Sequence, residues 1–191
     1  RCIVGVYKSK AASMFSTLRD DMVSRMSWMM GKIINRYADK VVVVSQAVWD
    51  NWKDKVDESK LALLHNGIDY RPYLETKTDI RNEIPNSEGK VLIGMIGRIN
   101  HWKGQGYFLD IAQSLVQTHE NVHFIIVGDA YPGTEHLVTE MEEKIKNSGL
   151  QTHVSYLGFR RDIPEILQAL DIFVLPSILP DPFPTVILEA M

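Results

Sequence analysis

The sequence has a single cysteine, no long apolar run and little net charge. Cys2 stands alone among 191 residues, which excludes an internal disulfide and a zinc site built from several cysteines. No apolar stretch approaches the roughly 20 residues that a membrane-spanning helix needs. A formal net charge of -3 provides no overall attraction to nucleic acid, so we expect no nucleic-acid partner. Because a single cysteine suits a reducing compartment, we expect a cytoplasmic protein.

Several common catalytic motifs are also missing. The sequence has no G-x-G-x-x-G after a strand pattern and no G-x-x-x-x-G-K-[ST], which argues against dinucleotide-dependent dehydrogenases and P-loop NTPases. It has no G-x-S-x-G, the usual nucleophile motif of hydrolases on α/β sheets. The 6 histidines are scattered without a ligand spacing such as H-E-x-x-H. We therefore expect no metal site.

From Val41 onward, short runs of β-branched residues alternate with longer amphipathic segments. This pattern is typical of βα units, and it predicts an α/β fold with a Rossmann-like parallel sheet. The predicted strands are Lys40–Val44, Leu61–Leu64, Lys90–Ile96, Val122–Val127, Val154–Leu157 and Asp171–Leu175. The predicted helices are Ala47–Lys53, Gln105–Thr118, Glu135–Ser148, Ile163–Gln168 and one that begins at Thr185.

A domain boundary is predicted between Asn66 and Gly89, where periodicity weakens and glycine, proline, asparagine and charged residues accumulate. We interpret residues 67–89 as an interdomain linker. Residues 90–191 are then an incomplete C-terminal Rossmann-like domain, and residues 1–66 are the last part of an N-terminal domain. Because residues 1–66 contain too few strands to close a sheet, we expect the chain to be truncated at both ends.

The segment from Lys10 to Tyr37 carries an apolar stripe at helical spacing, formed by Phe15, Leu18, Met22, Met26, Met29 and Ile33. Such a stripe usually faces a protein core. A basic helix rich in methionine also suits an anionic membrane surface, although Asp20 and Asp21 weaken that interpretation. We favour core packing and keep peripheral membrane contact as the alternative.

Two cations flank a loop at the carboxyl end of a predicted strand. Gly97 and Arg98 follow Lys90–Ile96, and Lys103 closes the loop before the next helix. Arginine presents a planar fork that matches phosphate oxygens, and lysine presents a compact charge. The pair therefore suits a diphosphate, while Gly97 allows close backbone approach. Such pairs are also common as solvated surface charges, so this pair by itself does not decide the function.

Two carboxylates flank the last predicted strand-to-helix turn. Asp181 lies in a proline-rich loop after Asp171–Leu175, and Glu189 lies in the helix that begins at Thr185. Ligands of open α/β sheets bind beyond the carboxyl ends of the strands, where carboxylates can hold hydroxyl groups. Glu189 also has a structural interpretation, as an acidic residue favoured near a helix N-terminus.

The motifs occur in an order that resembles a known family. They are Gly97-Arg98 with Lys103, Gly128-Asp129, Leu157-Gly158-Phe159, the run from Asp171 to Ser177, and Asp181-Pro182-Phe183 with Leu188-Glu189-Ala190-Met191. Upstream, Val43-Val44-Ser45-Gln46 and His65-Asn66-Gly67-Ile68-Asp69 resemble that family's last N-domain strand and its interdomain crossing. From Ala38 to Met191 the chain resembles the retaining, nucleotide-sugar-dependent glycosyltransferases of family 4, which have the GT-B fold.

The resemblance implies transfer of a sugar from a nucleoside-diphosphate sugar to an acceptor hydroxyl with retention of configuration. It implies a glycan or lipid-linked acceptor, polysaccharide or glycoconjugate biosynthesis, and no metal or other cofactor. Because the acceptor half is largely missing, we expect this chain alone to be inactive in transfer. A nucleotide-sugar epimerase of the same architecture and a non-catalytic sugar-nucleotide-binding module are the alternatives.

The resemblance also assigns roles to residues. The catalytic residues would be Arg98 and Lys103 on the donor diphosphate and Asp181 on hydroxyls of the transferred sugar. The donor-binding positions would be Gly97, Gly158, Phe159, Arg160, Thr185, Val186 and Glu189. Glu189 would bind the ribose, and the backbone near residues 158–160 would contact the base. The amides of Thr185 and Val186 would contact phosphate. Phe159 has a core position as its alternative.

Two positions depart from the family pattern. Asp181 stands where the family usually has glutamate, so its carboxylate is one methylene shorter and the identity of the sugar is open. Pro184 stands where the family often has glycine, and proline removes one backbone N–H donor. We expect the amides of Thr185 and Val186 to carry more of the phosphate contact as a result.

Overall fold

The apolar runs of the sequence become the strands of parallel sheets. The computed structural model describes residues 3–6, 16–76, 80–179 and 181–191, with side chains from Arg25 onward in the first helix. In chain order the strands are β1 (Ile3–Val6), β2 (Val41–Val43), β3 (Leu61–Leu63), β4 (Val91–Ile96), β5 (Val122–Val127), β6 (Val154–Tyr156) and β7 (Ile172–Leu175). The helices are α1 (Ser16–Tyr37), α2 (Gln46–Trp52), α3 (Arg71–Glu75), α4 (Gln105–Val116), α5 (His136–Asn147), α6 (Ile163–Ala169) and α7 (Thr185–Ala190).

The described residues form two compact units. The first unit contains β1, the described part of Ile68–Pro180, and Val186–Met191. The second unit contains the described part of Ser9–Gly67 together with Asp181–Thr185. The assignment of residues 1–66 and 90–191 to two domains of a larger protein stays a prediction.

The first unit is built on a five-stranded parallel sheet with the order β1-β7-β4-β5-β6. Every residue of β5 is buried, because the sheet is covered on both faces. One face packs against α4 and α5, with Phe108, Phe124 and Met141 in its core. The other face packs against α6 and partly against α7, with Ile125, Ile166 and Phe173 in its core. The predicted α/β fold with a parallel sheet is confirmed.

The predicted elements after residue 40 are all present, and β5 has the predicted bounds. Three features were not predicted: β1, the five-residue helix α3, and 3-10 turns at Glu58–Lys60 and Arg81–Glu83. These elements are too short to produce a periodic pattern, and they depend on packing against distant parts of the chain. Ile80 and Ile84, inside the predicted linker, are buried in the same core as α6.

The second unit holds the parallel pair β2 and β3 with α1 and α2. Its small core contains Val43, Val56 and Leu61. Ser45 caps α2 by accepting a hydrogen bond from the amide of Val48 at 3.3 Å. Within the described residues, none of the helices is both long and apolar enough to span a bilayer.

Helix α1 exposes the three described residues of the apolar stripe, Met26, Met29 and Ile33. The side chains of Phe15, Leu18 and Met22 lie outside the described part, and packing of the stripe against the core of a larger domain stays a prediction. The helix buries Gly31, where an added Cβ would overlap the carbonyl oxygen of Lys55. The small residue lets the two backbones approach closely.

Candidate functional site

A pocket of about 380 Å³ opens at the carboxyl ends of β4 and β5. The loop after β4 contributes Gly97 and Arg98, and the loop after β5 contributes Gly128 and Asp129. Phe159 and Arg160, which follow β6, complete the wall. The parallel sheet therefore brings four of the predicted donor-site residues, Gly97, Arg98, Phe159 and Arg160, around one pocket.

Two glycines hold the floor of this pocket together. Gly128 has a φ of 133°, and an added Cβ would overlap the carbonyl oxygen of Gly97. The amide of Gly97 donates to the Val127 carbonyl at 2.9 Å, and the amide of Ile99 donates to the Asp129 carbonyl at 3.0 Å. The two loops are thus joined backbone to backbone, which requires the absence of a side chain at Gly128.

Arg98 is held at its backbone and at its side chain. Its carbonyl accepts a hydrogen bond at 2.9 Å from Nε2 of Gln105, a side chain that is only 5% exposed. Its guanidinium carbon lies 3.6 Å from the ring centroid of Tyr131, in a cation–π contact. The sequence patterns indicated neither Gln105 nor Tyr131, because both partners lie in other elements of the fold.

Lys103 lies beside Gly97. A Cβ added to Gly97 would lie 3.7 Å from Cδ of Lys103, so the lysine stem passes over the glycine at van der Waals distance. Asn100 shapes this loop, since its Oδ1 accepts from the amides of Trp102 at 3.1 Å and Lys103 at 2.9 Å. Gly104, with a φ of 83°, then starts α4. The loop thereby places Lys103 next to the glycine that precedes Arg98.

The loop after β6 presents a ring and backbone to the pocket. Phe159 is 67% exposed, so its alternative position in the core is wrong. The carbonyl of Gly158 accepts from the amide of Gly128 at 2.8 Å. The Arg160 guanidinium is engaged by Asp162, with Nε to Oδ1 at 2.8 Å, and by Glu83 at 3.5 Å. The Asp162 carboxylate raises the pKa of Arg160.

Asp129 is a pocket residue to which the sequence assigned no role, although Gly128-Asp129 belonged to the recognised motif set. Its Oδ1 accepts from the amide of Ala130 at 2.7 Å. Burial, reinforced by the charge of Asp129, raises the pKa of Tyr156 in β6 to about 12. The Asp129 carboxylate therefore acts on a residue of the neighbouring strand as well as on its own loop.

Glu189 has a partner from the predicted linker. It lies in α7, and its charge acts on the hydroxyl of Tyr73 in α3. Burial is the main cause that raises the pKa of Tyr73, and the charge of Glu189 adds to it. Val186 is partly buried against the core of the first unit, so its side chain is engaged in packing.

Asp181 and Thr185 belong to the second unit, where Phe183 stacks on His65 with ring centroids 5.1 Å apart. The grouping of Asp181 with Glu189 around one sugar nucleotide therefore stays a prediction. Among the described residues, no group of three or more His, Cys, Asp or Glu side chains is arranged to hold a metal ion.

The profile of a protein family described as glycosyl transferases group 1 matches residues 76–191, which is more than half of the chain. The chain belongs to this family. The match contains β4 to β7, and with them every residue that lines the pocket. The predicted glycosyltransferase family is thereby confirmed.

Two curated relatives of this glycosyltransferase family member are themselves named as glycosyltransferases. The chain is 30% identical over 141 residues to UDP-Gal:alpha-D-GlcNAc-diphosphoundecaprenol alpha-1,3-galactosyltransferase of Escherichia coli, covering 71% of the chain and 35% of that protein. It is 29% identical over 125 residues to the lipopolysaccharide core biosynthesis mannosyltransferase LpsB of Rhizobium meliloti, covering 64% of the chain and 35% of that protein. The chain thus spans about a third of the length of these relatives.

Among solved structures, the chain resembles Anabaena HepE in complex with UDP and glucose. The TM-score is 0.77 at 28% identity, and the alignment covers 97% of this chain and 49% of HepE. The parallel-sheet α/β fold is that of GT-B glycosyltransferases.

Proposed function

We propose that this chain is the donor-binding part of an enzyme that transfers a sugar from a nucleoside-diphosphate sugar to an acceptor hydroxyl, with retention of configuration. One observation carries the proposal: Arg98 lines the pocket beyond β4, and the stem of Lys103 lies beside the adjacent Gly97. Family membership supports sugar transfer. The complex of HepE with UDP supports a nucleoside diphosphate as the leaving group.

In the proposed reaction, the bond between the anomeric carbon and the diphosphate breaks through an oxocarbenium-like state. The acceptor oxygen bonds to the same face of the sugar, and the proton of the acceptor hydroxyl passes to an oxygen of the departing diphosphate. Negative charge grows on the departing diphosphate, where Arg98 and Lys103 stabilise it more strongly than in the bound donor. Asp181 holds hydroxyls of the sugar, and Glu189 holds those of the ribose.

The base and phosphate contacts of the proposal use backbone as well as side chains. The exposed ring of Phe159 offers a stacking surface for a base at the pocket wall. Because Asp162 and Glu83 engage the guanidinium of Arg160, that residue contributes through its backbone. The amides of Thr185 and Val186, at the start of α7, complete the proposed phosphate contacts.

We propose a glycan or lipid-linked acceptor in polysaccharide or glycoconjugate synthesis. The galactosyltransferase relative is named for a diphosphoundecaprenol-linked sugar and the mannosyltransferase relative for the lipopolysaccharide core, which supports this acceptor class. Catalysis without a metal or other cofactor, cytoplasmic location and peripheral membrane contact all stay predictions. So does the inactivity of this chain alone.

Replacing Arg98 in the whole enzyme tests the proposal. We expect Arg98→Ala to lower kcat by about 10²–10³, as the loss of one preorganised charge stabiliser does in other enzymes. Transfer would be measured with a panel of nucleotide sugars and a lipid-linked acceptor. Arg36→Ala is the matched control, since Arg36 is an exposed arginine that also lies over a tyrosine ring, 5.6 Å from the centroid of Tyr37. Near-normal turnover by Arg98→Ala overturns the proposal.

A further inference from the structure

The contact between Arg98 and Tyr131 occupies only a flat face of the guanidinium group. With 3.6 Å between the guanidinium carbon and the ring centroid, the cation lies against the face of the ring. The N–H donors of arginine lie in the guanidinium plane and point outward from it, so a stacked ring does not occupy them. The stack therefore positions Arg98 while its donors stay available for a bidentate contact with phosphate.

Tyr131 itself is anchored through its backbone. The carbonyl of Tyr131 accepts from the amide of Thr134 at 2.9 Å and from the hydroxyl of Thr134 at 2.8 Å. This turn directly follows Asp129 and Ala130, which line the pocket. Tyr131 is 49% exposed, so its ring lies at the surface and not in the core. A ring on this hydrogen-bonded turn gives the guanidinium a surface to lie against.

Fixing Arg98 in advance matters because arginine is a flexible side chain. A free arginine side chain samples many rotamers, and it loses part of that rotamer entropy when it binds an anion. Gln105 already fixes the backbone carbonyl of Arg98. The ring of Tyr131 fixes the guanidinium end of Arg98, so the side chain has less rotamer freedom to lose when it binds the diphosphate.

We propose that Tyr131 is a positioning residue that preorganises Arg98 for the diphosphate of the donor. This inference rests on the proposed function, because it takes Arg98 as the diphosphate ligand. Tyr131 acts through Arg98 and not through the transferred sugar. Its effect therefore requires an arginine at 98 and a ring at 131, and it is confined to ligands that carry the diphosphate.

The test is calorimetric titration of the whole protein with uridine, guanosine and adenosine diphosphates. A second titration uses the nucleoside that corresponds to the diphosphate that binds. The variants are Tyr131→Leu, Tyr131→Phe, Arg98→Ala and the double variant Tyr131→Leu with Arg98→Ala. We expect Tyr131→Leu to weaken diphosphate binding about fivefold, the range of a cation–π contact at a partly exposed site. Tyr131→Phe keeps the ring and should bind within about twofold of the original protein. Neither Tyr131 variant should change nucleoside affinity.

The double variant separates positioning from a general structural effect. In the Arg98→Ala background, Tyr131→Leu should cause no further loss of affinity, because the group it positions is gone. Tyr37→Leu is the matched control: Tyr37 also lies beneath an arginine, is 80% exposed and belongs to the other unit, so diphosphate affinity should not change. Thermal unfolding of each variant checks that the fold is retained.

The outcomes distinguish this inference from the proposed function. If no diphosphate binds, or Arg98→Ala leaves the affinity unchanged, the proposed function fails and this inference fails with it. If Arg98→Ala weakens binding but Tyr131→Leu does not, only the role of Tyr131 is wrong. The role of Tyr131 is also wrong if Tyr131→Leu lowers diphosphate affinity equally with and without Arg98. It is wrong as well if Tyr131→Phe lowers the affinity as much as Tyr131→Leu does.

Discussion

Asp171 and Leu92 are joined by two hydrogen bonds between neighbouring strands. The amide of Leu92 donates to Oδ2 of Asp171 at 2.8 Å, and the amide of Asp171 donates to the carbonyl of Leu92 at 3.0 Å. The same carboxylate oxygen accepts from Nη2 of Arg81 at 2.7 Å. One carboxylate thus joins β4, the start of β7 and the 3-10 turn of the predicted linker.

Removing this carboxylate should destabilise the fold. Asp171→Ala leaves the buried amide of Leu92 without its partner, which costs about 1–3 kcal/mol of unfolding free energy. Chemical denaturation of the whole protein measures this loss. Asp50→Ala is the control, because Asp50 pairs at 3.1 Å with Lys53 on an exposed helix and its loss should change stability little. Equal effects of the two substitutions would contradict the assigned role.

Gly128→Ala should damage the pocket directly. A methyl group there meets the Gly97 carbonyl, and the φ of 133° is itself strained for alanine. We expect a loss of at least about 2 kcal/mol of stability, together with loss of nucleoside-diphosphate binding measured by calorimetry. Gly149→Ala is the control, since Gly149 has a φ of 68° with no atom within 4 Å of the added Cβ. If both variants bind normally, close approach of the loops is not required.

His123 should make stability depend on pH. It lies buried in β5 with Nε2 2.9 Å from the hydroxyl of Ser155, and burial is the main cause that lowers its pKa from 6.5 to about 4. In the unfolded chain the imidazole takes up a proton near pH 6.5, whereas in the folded state it resists protonation down to about pH 4. The stabilising contribution of neutral His123 is therefore present above pH 6.5. It is lost as pH falls toward 4, which lowers the free energy of unfolding by an amount on the order of 3 kcal/mol.

Denaturation across this pH range measures the contribution of His123. His123→Leu should flatten the dependence between pH 6.5 and 4. His101→Leu, at an exposed loop position, is the comparison variant and should retain the slope of the original protein. An unchanged slope in His123→Leu would show that other groups cause the acid sensitivity.

Tyr73→Phe tests the proposed contact of Glu189 with the ribose. The charge of Glu189 helps to raise the pKa of the Tyr73 hydroxyl, so the two groups influence each other and removal of the hydroxyl changes the surroundings of the carboxylate. We therefore expect the affinity for a nucleoside diphosphate to fall about threefold to tenfold. The 2′,3′-dideoxy analogue should bind the variant and the original protein equally, because it lacks the hydroxyls that Glu189 would hold. Tyr70→Phe, at a 62% exposed position just before α3, is the control. An equal loss for both nucleotides indicates a purely structural role for Tyr73.

Some of the candidate site was predictable from motifs. Arg98, Lys103 and Phe159 were found because each follows a recognisable buried strand, and the carboxyl ends of parallel strands share one edge. Tyr131 and Gln105, which contact Arg98, and Tyr73, which lies by Glu189, had no such signal. Each of these is an ordinary polar or aromatic residue in its local sequence, and its role depends on contact with a different loop.

The sequence by itself determined the alternation of strands and helices, because strands covered on both faces require continuous apolar runs such as Val122–Val127. It also determined which loops carry charge. Only the tertiary structure decided that α1 buries Gly31, because its close neighbour Lys55 lies in a distant segment of the chain. Only the strand order placed the loop that carries Tyr131 against Arg98, because contacts between distant segments follow from sheet topology and not from local spacing.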